Sequence, residues 1–292
     1  MAVVNTNISA SIAQAALARN ERELTAAMEQ LSTGKKINSA ADNAAGLAIT
    51  TRMTSQIRGL DQAIRNAYDA VSMVQTAEGA LDEITAMLQR MRELAIQSGT
   101  GTTDAVDRTY LNQEYVALRA EIDRIADNTE WNGRAILNGD AGASGIGASG
   151  YLSAVTFQVG AGENQTIAVN FGNFTDGLGH MSGIASTVLS AGTIASAVSN
   201  ASNAITRLDN AMTDVSNQRA SFGAVNNRLI HAVDNLTNIS TNAAQTRSRI
   251  MDTDYAAATS ELARTQIIQQ AGTAMLAQAN QLPGSVLQLL QS

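Results

Sequence analysis

Cysteine is absent from the 292 residues, which removes disulfides, thiol nucleophiles and thiolate metal sites together. Proline occurs once, at Pro283, and aromatic residues make up only 3% of the chain. Alanine, leucine, isoleucine and methionine dominate instead, the makeup of long helices packed through narrow seams. The two histidines stand apart: His180 lies in a glycine-rich stretch and His231 beside the apolar positions Leu229 and Val233. Neither has a carboxylate pair or an HExxH pattern beside it, so no metal, acid–base or nucleophile constellation assembles. No enzyme, cofactor or metal is expected.

Long apolar runs are missing as well. Nothing approaches about 18 consecutive apolar residues, so no helical membrane insertion is expected. The opening MAVVNTNISASIAQAALARN has neither the cationic start nor the small-residue cleavage site of a secretory signal. Positive charge is in short supply: 19 Lys and Arg against 26 Asp and Glu give a net charge of −7. The cations are scattered along polar helix faces, so no nucleic-acid partner is expected. Composition alone places the chain in the cytoplasm unless it is exported without a cleaved signal.

What the sequence does have is rhythm. From Met53 to Ala95 apolar residues return at alternating steps of four and three, through Ile57, Leu60, Ile64, Ala67, Val71, Val74, Leu81, Ile84, Leu88 and Met91. That is a heptad seam on one helix of roughly 63 Å, missing a beat only at Glu78, next to Ala77. So narrow a stripe needs a partner of similar length. Ile194 to Ile250 supplies it, with Leu208, Val215, Phe222, Leu229 and Leu236 in register over about 84 Å of potential helix. The hydrophobic share of 45% suffices for a core.

The remaining segments flank these two. A first arm, Ile8 to Leu31, carries Leu17, Leu24 and Leu31 one heptad apart, with Met28 on the same helix. Gly34 and the polar run to Ser39 break it, and Asp42 is the expected N-cap of the long helix. A third helix from about Asp104 repeats the spacing at Leu111, Tyr115, Leu118, Ile122 and Ile125, and Asn128 to Gly133 reads as a turn. Gly139 to Gly150 reads as a flexible connector. Val155, Phe157 and Val159 alternate against Ile167, Val169 and Phe171, which predicts a β-hairpin, and Gly172 to Gly192 leads out. The last arm carries Met275, Ala279, Leu282, Val286 and Leu289. Folding back at the insert sets the two termini side by side. Their seam residues are mostly small, so the terminal pair is expected to order mainly against neighbouring copies.

Three motifs invite chemical readings. Gly145, Gly147 and Gly150 satisfy GxGxxG, but that fingerprint needs a strand before and a helix after, and here a glycine-rich loop precedes and a strand-like run follows. A flexible loop is the reading. Asp252 and Asp254 resemble a cation pair but precede an alanine-rich helix, which they are expected to open. Pro283 falls inside the last heptad run and is expected to kink it or to be tolerated near its end.

The chain resembles the bacterial flagellins. The resemblance covers Ala2 to about Asn138 and about Thr193 to Ser292, and is carried by LSTGKKINSAADNAAGLAI (31–49), LQRMRELAIQS (88–98), NQEYVALRAEIDRIADNTEWNG (112–133), RIMDTDYAAATSELAR (249–264) and AQANQLPGSVLQLL (277–290). It implies a mainly α fold: an elongated bundle of long heptad-patterned helices with a small β-hairpin, the N- and C-terminal helices paired as a coiled coil. Residues 1–42 and 252–292 would form an inner-tube domain, 43–138 and 193–251 a helical rod, and 139–192 a connector and hairpin of that rod, with no large outer domain. The implied function is that of a structural subunit that self-assembles into an extracellular filament for motility. Partners would be other copies of the chain, an export chaperone of a type III apparatus, and cap and junction proteins. Leu17, Leu24, Met28, Leu31, Met275, Leu282, Val286 and Leu289 would be the assembly residues of the terminal helices. By the same resemblance Gln89, Arg90, Leu94 and Glu114 match positions recognised by Toll-like receptor 5. They would first serve contacts between subunits, with Gln89, Arg90 and Leu94 pointing outward. Ser and Thr residues between Ser144 and Thr193 would be candidates for O-glycosylation. A hook–filament junction protein and a flagellin-like surface adhesin are the alternatives; the absence of an outer domain and the few aromatics argue against the second.

Overall fold

A computed structural model describes residues 7–139, 152–175 and 194–291, with the backbone alone at 152, 153, 194 and 282–291. In chain order the elements are α1 (Ile8–Thr33), α2 (Ala40–Ser98), α3 (Ala105–Asn128), β1 (Glu130–Trp131), β2 (Arg134–Ala135), β3 (Leu152–Gln158), β4 (Thr166–Gly172), α4 (Ile194–Met251) and α5 (Tyr255–Gln291). The fold is mainly α, a bundle of long helices with two small antiparallel hairpins. The chain divides into two units, Met1–Ile57 with Thr241–Ser292, and Arg58–Ser240. The division falls inside α2 and α4.

In the second unit the heptad positions do what their spacing dictates. Leu81, Ile84, Leu88, Met91 and Ala95 of α2 are wholly buried, as are Leu208 and Leu229 of α4. The two helices run antiparallel: Arg92 Nε meets Asp209 Oδ1 at 2.7 Å, Arg219 Nη1 meets Asp82 Oδ1 at 2.7 Å, and Ser240 Oγ donates to Asp61 Oδ1 at 3.1 Å. At the missed beat, Ala77 is buried and Glu78 reaches aside to Arg219, 4.0 Å away. The α3 helix adds Tyr115, Ile122 and Ala126 to the core. Its Arg108 is 2% exposed and donates from Nε to the Ser98 carbonyl at 3.1 Å and from Nη2 to that of Thr100 at 3.2 Å. A carbonyl in the last turn of α2 and one in the turn that follows thus each gain a buried donor.

The polar turn after α3 is a hairpin. Asn132 and Gly133 take φ of 51° and 74°, the pair of positive values a two-residue I′ turn requires, and join β1 to β2 with Glu130 opposite Ala135. The larger hairpin matches the alternation in the sequence: Val155 pairs with Val169 and Phe157 with Ile167. Ile167, Val169 and Phe171 point into the core, where the Phe171 and Phe222 ring centroids lie 5.3 Å apart.

In the first unit, Gly34 ends α1 in the left-handed region (φ 69°) with its N–H on the Gln30 carbonyl. The link beyond it pairs with the α4–α5 junction: Lys36 N donates to Met251 O at 2.7 Å and Thr253 N to Gly34 O at 3.0 Å. Asp42 is not the cap of the long helix. Its Oδ2 turns back to accept from the N–H groups of Asn38 and Ser39 at 3.0 and 2.8 Å, which draws its carboxyl below the usual aspartate range. Asn43, extended at φ −164° and ψ 96°, takes the capping role, with Oδ1 accepting from Gly46 N at 2.8 Å. Asp254 does open α5, accepting from the N–H groups of Ala256 and Ala257.

Candidate functional site

Two surfaces stand out, one on each unit. On the first unit, α1 and α5 lie antiparallel along a seam of small side chains. Ala27, Ala258, Thr265 and Ala279 are its buried members, and the α5 positions recur every seven residues through Gly272, where a Cβ would come within 3.1 Å of Leu17 Cγ. Asn20 is 4% exposed and donates from Nδ2 to the Thr265 carbonyl at 2.8 Å. Asn7 accepts from Ala10 N, capping α1, and donates from Nδ2 to the Ala279 carbonyl at 2.8 Å. Arg264 stands 3.6 Å from Glu23 across the pair and also bonds Glu261, whose pKa it lowers.

A seam so shallow buries little, and large side chains are left outside. Ile12 and Met275 are each 65% exposed, and Ile8, Met28, Ile267 and Ile268 are exposed with them. A groove of about 420 Å³ lies between the helices, lined by Ile12, Ala13, Leu17, Ile268, Gly272 and Met275 among others. Of the terminal residues singled out by the sequence, Met28 and Met275 are exposed, while Leu17, Leu24 and Leu31 are half-buried beside the seam. The side chains of Leu282, Val286 and Leu289 lie outside the described residues. Pro283 falls within α5, which continues past it to Gln291.

On the second unit, Gln89, Arg90 and Glu114 are exposed. Arg90 Nε donates to Glu114 Oε1 at 2.8 Å and Nη1 to Glu93 Oε2 at 2.9 Å. These bonds, that to Glu114 foremost, hold its pKa above the ordinary arginine value. Leu94 departs from the outward position expected of it: it is 1% exposed and belongs to the core. Its place is set by the seam, since Leu94 stands three residues beyond Met91 on the face that meets the core.

Among the described residues no group of His, Asp and Glu is placed to hold a metal ion, and no helix is long and apolar enough to cross a membrane. His231 is exposed. His180, the Gly145–Gly147–Gly150 motif and most of the Ser144–Thr193 candidates for glycosylation lie outside the described residues. The sequence reading passed over Asn7, Asn20, Asn43 and Arg108. Asn20 carried the clearest signal, a polar residue seven positions before Ala27 on the seam heptad.

Long paired helices with apolar residues left exposed along them define a structural, helix-packing protein. Comparisons give it a family. Residues 4–141 match the bacterial flagellin N-terminal helical region and residues 205–290 the bacterial flagellin C-terminal helical region. Flagellin of Halalkalibacterium halodurans is 43% identical over 289 residues, covering 99% of this chain and 100% of that one. Flagellin A of Vibrio anguillarum is 38% identical over 377 residues, covering 99% of each. A solved structure described as a flagellar hook-associated protein of Vibrio parahaemolyticus shares the fold, with a TM-score of 0.57 at 13% identity over 72% of this chain and 100% of that one. The chain belongs to the bacterial flagellin family, whose members are structural subunits of the extracellular flagellar filament.

Proposed function

We propose that this chain polymerises through two surfaces: the α1–α5 pair, acting as the inner-tube domain, and the exposed α2–α3 face around Gln89, Arg90 and Glu114. The observation that carries the first is the mismatch on α1 and α5 between a seam of alanine, glycine and threonine and the large apolar residues left outside it. Burying one such side chain contributes roughly 1.5–3 kcal/mol, so a neighbouring copy that covers Ile8, Ile12, Met28, Ile267 and Met275 gains more than the seam supplies within one chain. The second unit has its own core and serves as the rod.

Removing residues 1–34 or 255–292 is expected to leave a folded monomer that forms no filament under polymerising conditions; filaments from either truncation would falsify this reading. Electron microscopy of the intact protein separates it from a junction or adhesin role, for which long filaments do not form. Export through a type III apparatus with a dedicated chaperone, and contacts with cap and junction proteins, are proposed on the family resemblance alone.

Recognition by Toll-like receptor 5 is the second use proposed for the Arg90 face, supported by the exposure of Gln89, Arg90 and Glu114. Leu94 contributes to that face only through the core. Arg90→Ala with Glu114→Ala is expected to reduce receptor signalling by the monomer; unchanged signalling would remove the receptor from the account and leave subunit contact standing.

A further inference from the structure

We infer that Met28 and Met275 are the oxidation-sensitive sites of the described chain, and that a peroxide which converts them to sulfoxides in the free subunit bars that subunit from the polymer. The first clause stands on the exposure of the two thioethers; the second rests on the assembly reading above.

Cysteine is absent, so a two-electron oxidant meets no thiol and the methionine thioethers are the sulfur it can reach. Most of them are shielded. Met73 and Met91 are buried in the core of the second unit, and Met53, Met87, Met212 and Met251 are half-buried. Among the described residues only Met28, 56% exposed, and Met275, 65% exposed, stand open to solvent. Both belong to the terminal helices, among the large apolar side chains that the α1–α5 seam leaves outside. The two reactive sulfurs therefore coincide with the surface offered to neighbouring copies.

The chemistry needs only the peroxide. The sulfur lone pair attacks one oxygen of hydrogen peroxide and the O–O bond breaks. The departing hydroxide takes the proton of the transferred oxygen and leaves as water. Sulfur gives up two electrons, the peroxide is reduced, and a flexible apolar side chain becomes a polar one. Met275 lines the groove between α1 and α5 with Ile12, Ala13, Leu17 and Ile268, where Ser9 carries the one hydroxyl of the lining. Met28 stands four residues after Leu24 and three before Leu31 on the same face of α1. A sulfoxide at either place is hydrated in the free subunit, which tolerates it. Covered by another copy it loses that water against an apolar wall, so the penalty falls on assembly and leaves folding alone.

The test uses the full chain and dilute hydrogen peroxide, quenched with free methionine before assembly is started. Peptide mass spectrometry should find Met28 and Met275 gaining one oxygen on the order of tenfold faster than Met73 and Met91. Equal rates would overturn the assignment of the sites. The treated monomer should keep its helix content and form filaments only at a critical concentration raised about tenfold. A methionine sulfoxide reductase with dithiothreitol, which releases the oxygen as water and leaves the thiols as a disulfide, should restore the original value. The doubly substituted chain, Met28→Leu with Met275→Leu, keeps the apolar bulk and should assemble equally well before and after peroxide. If it does not polymerise at all, the single variants carry the same comparison, each losing part of the sensitivity. Peroxide that stops the substituted chains as fully as the native one would overturn the link from these sulfurs to assembly. So would native chains that stay unable to assemble once mass spectrometry shows both sulfurs reduced.

Peroxide applied to finished filaments separates the two readings. Contacts between copies over α1 and α5 should slow oxidation of Met28 and Met275 to the rate of the buried methionines. Oxidation at the monomer rate in intact filaments would defeat the assembly reading for this surface, and with it the second clause, while leaving the two sites of the free subunit in place.

Discussion

Arg108 and Leu94 show how much a residue's meaning depends on which way the helix turns it. Arg108 is charged, yet its guanidinium is buried on the carbonyls of Ser98 and Thr100, at and just past the end of α2. Replacing it by methionine keeps the aliphatic packing and removes both of its bonds to the Ser98 and Thr100 carbonyls. The expected loss is about 2–3 kcal/mol, read as a lower urea midpoint with an unchanged slope. Leu94 is apolar within a stretch otherwise notable for Gln89 and Arg90, and it faces the core. Leu94→Ala should lower stability by about 2–5 kcal/mol. Arg90→Ala, at an exposed ion pair, should leave the midpoint unmoved. Measuring both by denaturant titration separates core from surface on this one turn of helix; a harmless Leu94→Ala would contradict the burial. The seam was read from Met91 on to Ala95 and passed over Leu94, although both positions, three and four residues past Met91, are buried.

At the scale of elements, the long helices and the larger hairpin could be read from the chain because burial repeats there with a fixed period. Val155 opposite Val169 and Leu81 through Ala95 are cases in which one face must be apolar and the other need not be. Ends of elements were harder to read, because a cap is decided by one or two hydrogen bonds. Asp42 and Asn43 are adjacent and both can cap a helix, and the backbone alone settled which does. The difference has a measurable consequence. Asn43→Ala should lower stability by about 1 kcal/mol at neutral pH. Asp42, whose pKa is lowered on folding by the N–H groups of Ser39 and Asn38, contributes stability that is present above its unfolded pKa and is lost as pH falls through the folded one. Asp42→Asn should therefore lower stability at neutral pH and flatten the acid limb, leaving the slope above neutrality unchanged. An identical acid limb in the variant would show that the bonds to Ser39 and Asn38 do not persist in solution. The hairpin at Asn132–Gly133 was written in the sequence as a turn, but strands this short leave no periodic signal to find.

For the molecule as a whole, the two units differ in what holds them. The second has a core of leucine, isoleucine, valine, methionine and phenylalanine; the first closes over alanine, glycine and threonine. Amide hydrogen exchange of the monomer should be slow in α2 and α4 between Arg58 and Ser240, and fast in α1 and α5, with protection of α1 and α5 rising on polymerisation. Exchange that is equally slow in both units of the monomer would contradict this division. Trp131, the one tryptophan of the chain, sits in β1 against the core of the second unit. Intrinsic fluorescence excited at the indole band therefore watches that unit alone and is blind to α1 and α5. Melting curves taken by fluorescence and by far-ultraviolet circular dichroism on the same sample should not superimpose. The gap between them is a direct optical measure of how far the termini come apart before the rest of the chain does.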